Sequence, residues 1–176
     1  MTVPEPQDER TIHDGPRFSV HRARFGADRT REWVSAPASV AVVPYDAANV
    51  YLVLQPREAV QRDDVLEVPA GIMDVEGESP LETAKRELVE EIGMEAREWS
   101  EPKSFFTSIG FVDEVAHVFL ATDLHKVGEP DESGEEQIEL VAWPLDDLDR
   151  LIEENEDAKT LIGLLFLRRA RAATAR

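Results

Sequence analysis

The chain has 176 residues, 42% of them apolar, which is enough for one substantial core in a single globular unit. Its 37 acidic residues against 19 basic ones give a formal charge of −18, which opposes binding to a nucleic-acid backbone; the absence of cysteine excludes disulfides and thiolate chemistry. There is no charged-then-apolar leader and no apolar run approaching about 18 residues, so the expectation is a cytoplasmic protein without a membrane partner.

Residues 1–16 are polar, are broken by Pro4, Pro6, Gly15 and Pro16, and read as a loose leader. Residues 18–25 alternate in part and suggest a strand, with 31–34 a second. Residues 39–45 and 50–55 are apolar and β-branched, and the turn-forming residues 46–49 between them predict a buried hairpin. A short strand at 65–68 leads into a glycine turn at Gly71.

The next segment carries the strongest local signals in the chain. Ser79 can cap a helix, Pro80 suits its first position, and Glu82 can complete a capping box; Gly93 then supplies the permissive backbone expected just past a helix end. The spacing predicts a helix over 80–92 with Leu81, Ala84, Leu88 and Ile92 on one stripe facing a core. At about 100° per residue, Glu87 and Glu91 fall within roughly 40° of each other on the flank of that stripe.

Beyond the helix, residues 103–107, 115–121 and 137–143 are strand candidates, and residues 127–136 form a long acidic loop. Two helices close the chain at 145–154 and 156–172. Ala158, Leu161, Ile162 and Leu165 keep helical spacing in the second, as a core face would. The arginines from Arg168 onward read as a solvated helix end. Mixed strands around a helix, with further helices at the end, make this an α/β chain with a mixed sheet.

Like charges one turn apart cost about 0.2–0.5 kcal/mol per exposed pair, and Glu90 adds a third negative charge beside Glu87 and Glu91. A divalent cation would reverse the sign of that cost. Hard carboxylate oxygens suit magnesium or manganese, which keep some waters and complete their shell from substrate phosphates. Arg86 stands four residues before Glu90 and can pair with it, holding the cluster in place. A solvated acidic face is the ordinary fate of such a run. The coincidence of glycine turn, cap and residue order favours the cation.

That order resembles the Nudix hydrolase family, whose box runs glycine, five residues, glutamate, seven residues, then Arg-Glu-apolar-any-Glu-Glu-any-Gly-apolar. Arg86, Glu87, Leu88, Val89, Glu90, Glu91, Ile92, Gly93 and Met94 match every specified position of the helical half. Six residues, not five, separate Gly71 from Glu78, which changes the loop path without rotating the helix. The resemblance implies a Nudix α/β/α sandwich over residues 37–176, with residues 1–36 as an N-terminal element whose antiparallel strands serve a homodimer.

Outside the box, YLVLQPREAV and LEVPAG look like the ADP-ribose pyrophosphatase branch. That resemblance implies a phosphate contact from Arg57, a place at the site for Glu67, and a metal-holding carbonyl at Ala70 beside Glu87 and Glu91. FFTSIGFVDE resembles the branch's Ser-Pro-Gly-aromatic-any-any-Glu segment and implies that Gly110, Phe111 and Glu114 lie beside the substrate. Ile109 stands where that pattern has its marker proline, which leaves the particular substrate open. GEEQIEL aligns Glu136 with a loop glutamate that holds metal or accepts a proton from the attacking water, with Glu135 as rival.

Catalytic parts for Arg86, Glu90 and Glu136 follow from the same likeness. The implied reaction is metal-dependent hydrolysis of a nucleoside diphosphate linked to another moiety, with ADP-ribose giving AMP and ribose 5-phosphate. Alternatives are another nucleotide sugar or a dinucleotide, or a non-catalytic ligand-sensing module. Such modules usually lose box carboxylates, and this chain keeps Glu87, Glu90 and Glu91.

Overall fold

The computed structural model describes residues 2–130 and 138–174. In chain order the elements are β1 (Pro6–Asp14), β2 (Ser19–Phe25), β3 (Arg29–Ser35), β4 (Ser39–Pro44), β5 (Asn49–Arg57), β6 (Arg62–Glu67), β7 (Ala70–Ile72), α1 (Pro80–Ile92), β8 (Met94–Phe106), β9 (Val115–Lys126), β10 (Glu139–Pro144), α2 (Leu148–Glu154) and α3 (Ala158–Thr174). Strand β4 pairs in parallel with β9 and antiparallel with β7, and β9 pairs antiparallel with β8, so the central sheet is mixed, in the order β7-β4-β9-β8. Strands β10, β5 and β6 form a second, antiparallel sheet, and β1, β2 and β3 a third.

The alternation of side chains along β4 builds the layers. Val40 and Val42 pack with Ala84, Leu88 and Ile92 of α1, whereas Ala41 and Val43 pack with Leu164 and Leu167 of α3. Strand β9 divides the same way, Phe119 and Ala121 toward α1, Val118 and Leu120 toward α3. Helix α3 comes close because Gly163 has no side chain: a β-carbon there would stand 2.6 Å from Cγ2 of Val43. Two helices on opposite faces of a mixed sheet make the α/β/α sandwich.

Helix α1 has the predicted bounds. Ser79 accepts from the backbone N–H of Glu82 at 3.3 Å, and Glu82 accepts from the backbone N–H of Ser79 at 2.8 Å. The Ser79 hydroxyl also donates to the Glu82 carboxylate at 2.6 Å, and this bond, with the one from the Ser79 N–H, holds the Glu82 carboxyl below the usual carboxylate range. Gly93 closes the helix at φ 65°, its N–H on the carbonyls of Leu88 and Val89.

Three expectations need correction. Residues 6–14 are not loose leader but strand β1, paired along its length with β2. Every residue of β1 is exposed, so it has no buried face for a hydrophobic pattern to reveal. Residues 39–44 and 50–55 are both in strands but not in a hairpin, since β4 and β5 join different sheets and the isolated bridge Tyr45–Val50 lies just past the end of β4. Each is buried on both sides, and a continuous apolar run signals burial without naming the neighbour. Strand β8 starts at Met94, directly after the helix cap, well before residue 103.

The β1-β2-β3 sheet is tied to the rest through Val34, whose N–H donates to the Phe111 carbonyl at 2.7 Å and whose carbonyl accepts from the Asp113 N–H at 3.1 Å. Among the described residues no helix is long and apolar enough to cross a membrane.

Candidate active site

Helix α1 turns Glu87 and Glu91 into the protein, where they are 9% and 5% exposed. Glu91 accepts a hydrogen bond from the Ala70 N–H at 3.1 Å, which fastens its carboxylate to β7. Burial pushes the Glu87 carboxyl above its usual range; Arg86 opposes the shift and Glu90 adds to it. A buried carboxylate that resists ionisation is one that a cation would stabilise.

Arg86 is the centre of the surrounding charge network. It donates to Glu87 at 2.7 Å and to Glu90 at 3.0 Å, and pairs with Glu78 at 3.4 Å and Asp74 at 3.6 Å. Burial works against its charge, but Glu87, Glu90 and Glu78 outweigh this and raise its pKa above the ordinary arginine value. Glu78, left open by the extra loop residue, also accepts from the Thr83 hydroxyl at 3.0 Å. Glu90 is exposed and faces Arg86 on the outer side of the helix.

Gly71 is required at its place by close approach. A β-carbon there would stand 2.1 Å from the Glu87 carboxylate, so the glycine lets the helix bring that group against β7.

A second group comes from β5, β6 and α3. Pro56 offers no N–H to the ladder, and the register of β5 against β6 shifts between Gln55 and Arg57, a bulge that re-aims the arginine. Arg57 makes a two-pronged contact with Glu67, at 2.6 and 3.1 Å. Lys159, at the start of α3, bonds the same carboxylate and also pairs with Asp157 at 3.0 Å. Burial pushes the Glu67 carboxyl up, but the hydrogen bond from Arg57 and the charge of Lys159 outweigh it and hold it below the usual carboxylate range.

These groups share one cleft of about 560 Å³, lined among others by Arg57, Ala70, Gly71, Glu87, Glu91, Glu114 and Lys159. Glu114 sits in it with both oxygens engaged, by the Ser39 hydroxyl at 2.6 Å and the Thr107 hydroxyl at 3.0 Å. Of the residues picked out in the sequence, the cleft thus gathers Arg57, Ala70, Glu87, Glu91 and Glu114. Glu67 stands behind it, supporting Arg57. Gly110 lines a different hollow, beside Phe25 and Trp33, and Phe111 is largely exposed, with its carbonyl on Val34. Glu136 and its rival Glu135 lie outside the described residues.

Among the described residues no three His, Asp or Glu side chains form a ready-made cage for a metal ion. The donor set nevertheless fits a hard cation that brings part of its own shell: two buried carboxylates one turn apart, one of them destabilised as an anion. The sequence reading missed Lys159, Asp157 and Arg17, which also line the cleft. A basic residue in the first turn of a helix, placed against the helix dipole, was the available sign of Lys159.

The chain and its sandwich are matched by known proteins. The family described as NUDIX domain matches residues 35–164, and the chain belongs to the Nudix pyrophosphatase family. It is 38% identical over 154 residues to the ADP-ribose pyrophosphatase of Bacillus subtilis (strain 168), covering 85% of this chain and 82% of that one. It is also 38% identical over 144 residues to the ADP-ribose pyrophosphatase of Mycobacterium tuberculosis, covering 79% and 69%. A crystal structure of an ADP compounds hydrolase superposes with a TM-score of 0.88 over 100% of this chain and 98% of that one, at 23% identity. Members of this family generally need a divalent metal.

Proposed function

We propose that the chain hydrolyses the pyrophosphate bond of a nucleoside diphosphate linked to another moiety, with ADP-ribose as the substrate that gives AMP and ribose 5-phosphate. The observation that carries this reading is the meeting of Glu87 and Glu91 with Arg57 in one cleft, acidic on the α1 side and cationic on the β5 side.

Glu87 and Glu91, with the Ala70 carbonyl, would hold magnesium or manganese, which when bound neutralises phosphate charge and acidifies water. Arg57 takes charge on the diphosphate, oriented by its contact with buried Glu67. Arg86 and Glu90 keep Glu87 aimed. Glu114, fixed by Ser39 and Thr107, gives the cleft an acceptor for a sugar or base donor. Glu136 is proposed as the proton acceptor for the attacking water. The N-terminal element, residues 1–36, is proposed to pack on a second copy of the chain, and the protein to work in the cytoplasm.

The test is release of AMP from ADP-ribose, other ADP-sugars and dinucleotides in magnesium, followed by chromatography. Preferential cleavage of ADP-ribose supports the reading. Turnover confined to nucleoside triphosphates would remove it, and preference for another nucleotide sugar or a dinucleotide would select that alternative instead. Light scattering that gives a monomer at micromolar concentration would end the dimer proposal.

A further inference from the structure

Glu67 is 2% exposed, yet two cations share it. Its two-pronged contact with Arg57 already compensates the buried charge in the geometry best suited to a carboxylate. Lys159 is therefore a second cation on a carboxylate that has one. Its position also runs against local electrostatics: Asp157 caps α3, accepting from the Thr160 N–H at 2.9 Å, so Lys159 is the second residue of the helix, where the dipole repels positive charge.

The anchoring of this corner does not depend on Lys159. The Asn155 side chain donates to the Leu66 carbonyl at 2.7 Å, and the buried Thr160 hydroxyl accepts from the Val68 N–H at 2.9 Å. These bonds lock the start of α3 to the backbone on either side of Glu67.

What Lys159 does accomplish is to change the face that the cleft presents. The Glu67 carboxylate is hidden behind the two cations, and it is Arg57 and Lys159, with side chains 34% and 22% exposed, that line the cavity. Both touch the same carboxylate oxygen, Oε2, so their nitrogens are neighbours and one phosphate can reach both.

We infer that Lys159 is a substrate-binding residue, which works beside Arg57 as the second cation for a phosphate of the diphosphate, with Glu67 as the buried carboxylate that positions both. This rests on the reading of the chain as a diphosphate hydrolase. Asp157 draws on the same ammonium, so phosphate entry exchanges one anionic partner of Lys159 for another and needs no change in its charge.

The experiment compares wild type with Lys159→Met and Lys159→Arg. KM and kcat for ADP-ribose are measured in magnesium, melting temperature by circular dichroism, and binding of ADP to metal-free protein in chelator by calorimetry. Loss of one charged contact predicts at least about a tenfold rise in KM and in the ADP dissociation constant for Lys159→Met, with kcat within about twofold. Lys159→Arg should recover most of the affinity. An unchanged KM and unchanged ADP affinity in Lys159→Met would overturn the assignment, as would a fall in melting temperature with no change in either. Should the wild type fail to cleave ADP-ribose, the functional reading falls, and ADP binding to the metal-free protein still decides the role of Lys159.

Discussion

The carboxylate of Glu87 lies so close to the backbone of Gly71 that a β-carbon there would be 2.1 Å from its Oε1 atom. The blocking atoms belong to the end of a flexible side chain, so an alanine can be admitted by moving Glu87 aside. Gly71→Ala should therefore fold with a melting temperature close to wild type and lose activity. Displacing a working group by about 1 Å costs on the order of 10²-fold. Normal turnover in this variant would show that Glu87 does not have to occupy that position.

Glu91→Gln separates charge from shape. The amide oxygen can still accept from the Ala70 N–H, so the fastening to β7 survives. The substitution removes one of two like charges that stand one helical turn apart. A carboxylate holding metal supplies several kcal/mol of transition-state stabilisation, which corresponds to a loss of about 10²-fold or more in kcat/KM. Manganese titration followed by electron paramagnetic resonance should show weakened binding in the same variant. Wild-type activity and manganese affinity would take Glu91 out of the metal site.

The contrast between what could and could not be read from the sequence has a physical origin. The cap at Ser79, Pro80, Glu82 and Gly93 is local chemistry, and so is the spacing of Glu87 and Glu91; both are found in the helix at the predicted bounds. The strands β4, β5 and β9 were legible as buried segments, but their partners were not, because apolar runs carry no record of which sheet they join. β1 left no trace, because every residue of it is exposed and no buried face patterns its sequence. The partnership of Lys159 with Glu67 spans 92 residues of sequence and exists only once α3 is folded against the β6 end. Of the site residues, those within the box were found from spacing, whereas Arg57, Glu67 and Glu114 came from likeness to a family.

Gly93 meets two demands at once. Its φ of 65° is a left-handed conformation, and a β-carbon there would stand 2.4 Å from the Gly128 carbonyl oxygen. The Val127 and Gly128 N–H groups both donate to the Gly93 carbonyl, so the end of β9 is sewn to the helix cap. For Gly93→Ala the left-handed backbone costs about 1–2 kcal/mol. The clash with backbone adds to this, since no side chain can swing away. The expected result is a fall in melting temperature of roughly 4–8 °C, at about 2–4 °C per kcal/mol for a chain of this size. A change within 1–2 °C, measured by calorimetry and read on that same scale, would mean that neither the left-handed backbone nor the close approach of residues 128–129 constrains this position.

The Glu67 cluster makes a prediction about acid. Its carboxyl is held below the usual range by Arg57 and Lys159 against the opposing effect of burial, so folding favours its ionised form. A group with a depressed folded-state pKa stabilises the protein fully above its unfolded pKa of about 4.3, and the contribution disappears as pH falls through the folded value. At pH 7, Glu67→Gln should therefore destabilise. Breaking a fully buried pair costs about 3–5 kcal/mol, but Arg57 and Lys159 are partly open to solvent, so about 1–3 kcal/mol is expected. Because many other carboxylates titrate in the same range, the informative quantity is the difference between the two proteins. That difference in melting temperature should hold steady from pH 7 to about pH 5 and narrow below about pH 4 as the wild-type carboxyl takes up its proton. A gap that stays constant down to pH 3 would show that Glu67 acts through its shape and hydrogen bonds, with its charge playing no part in stability.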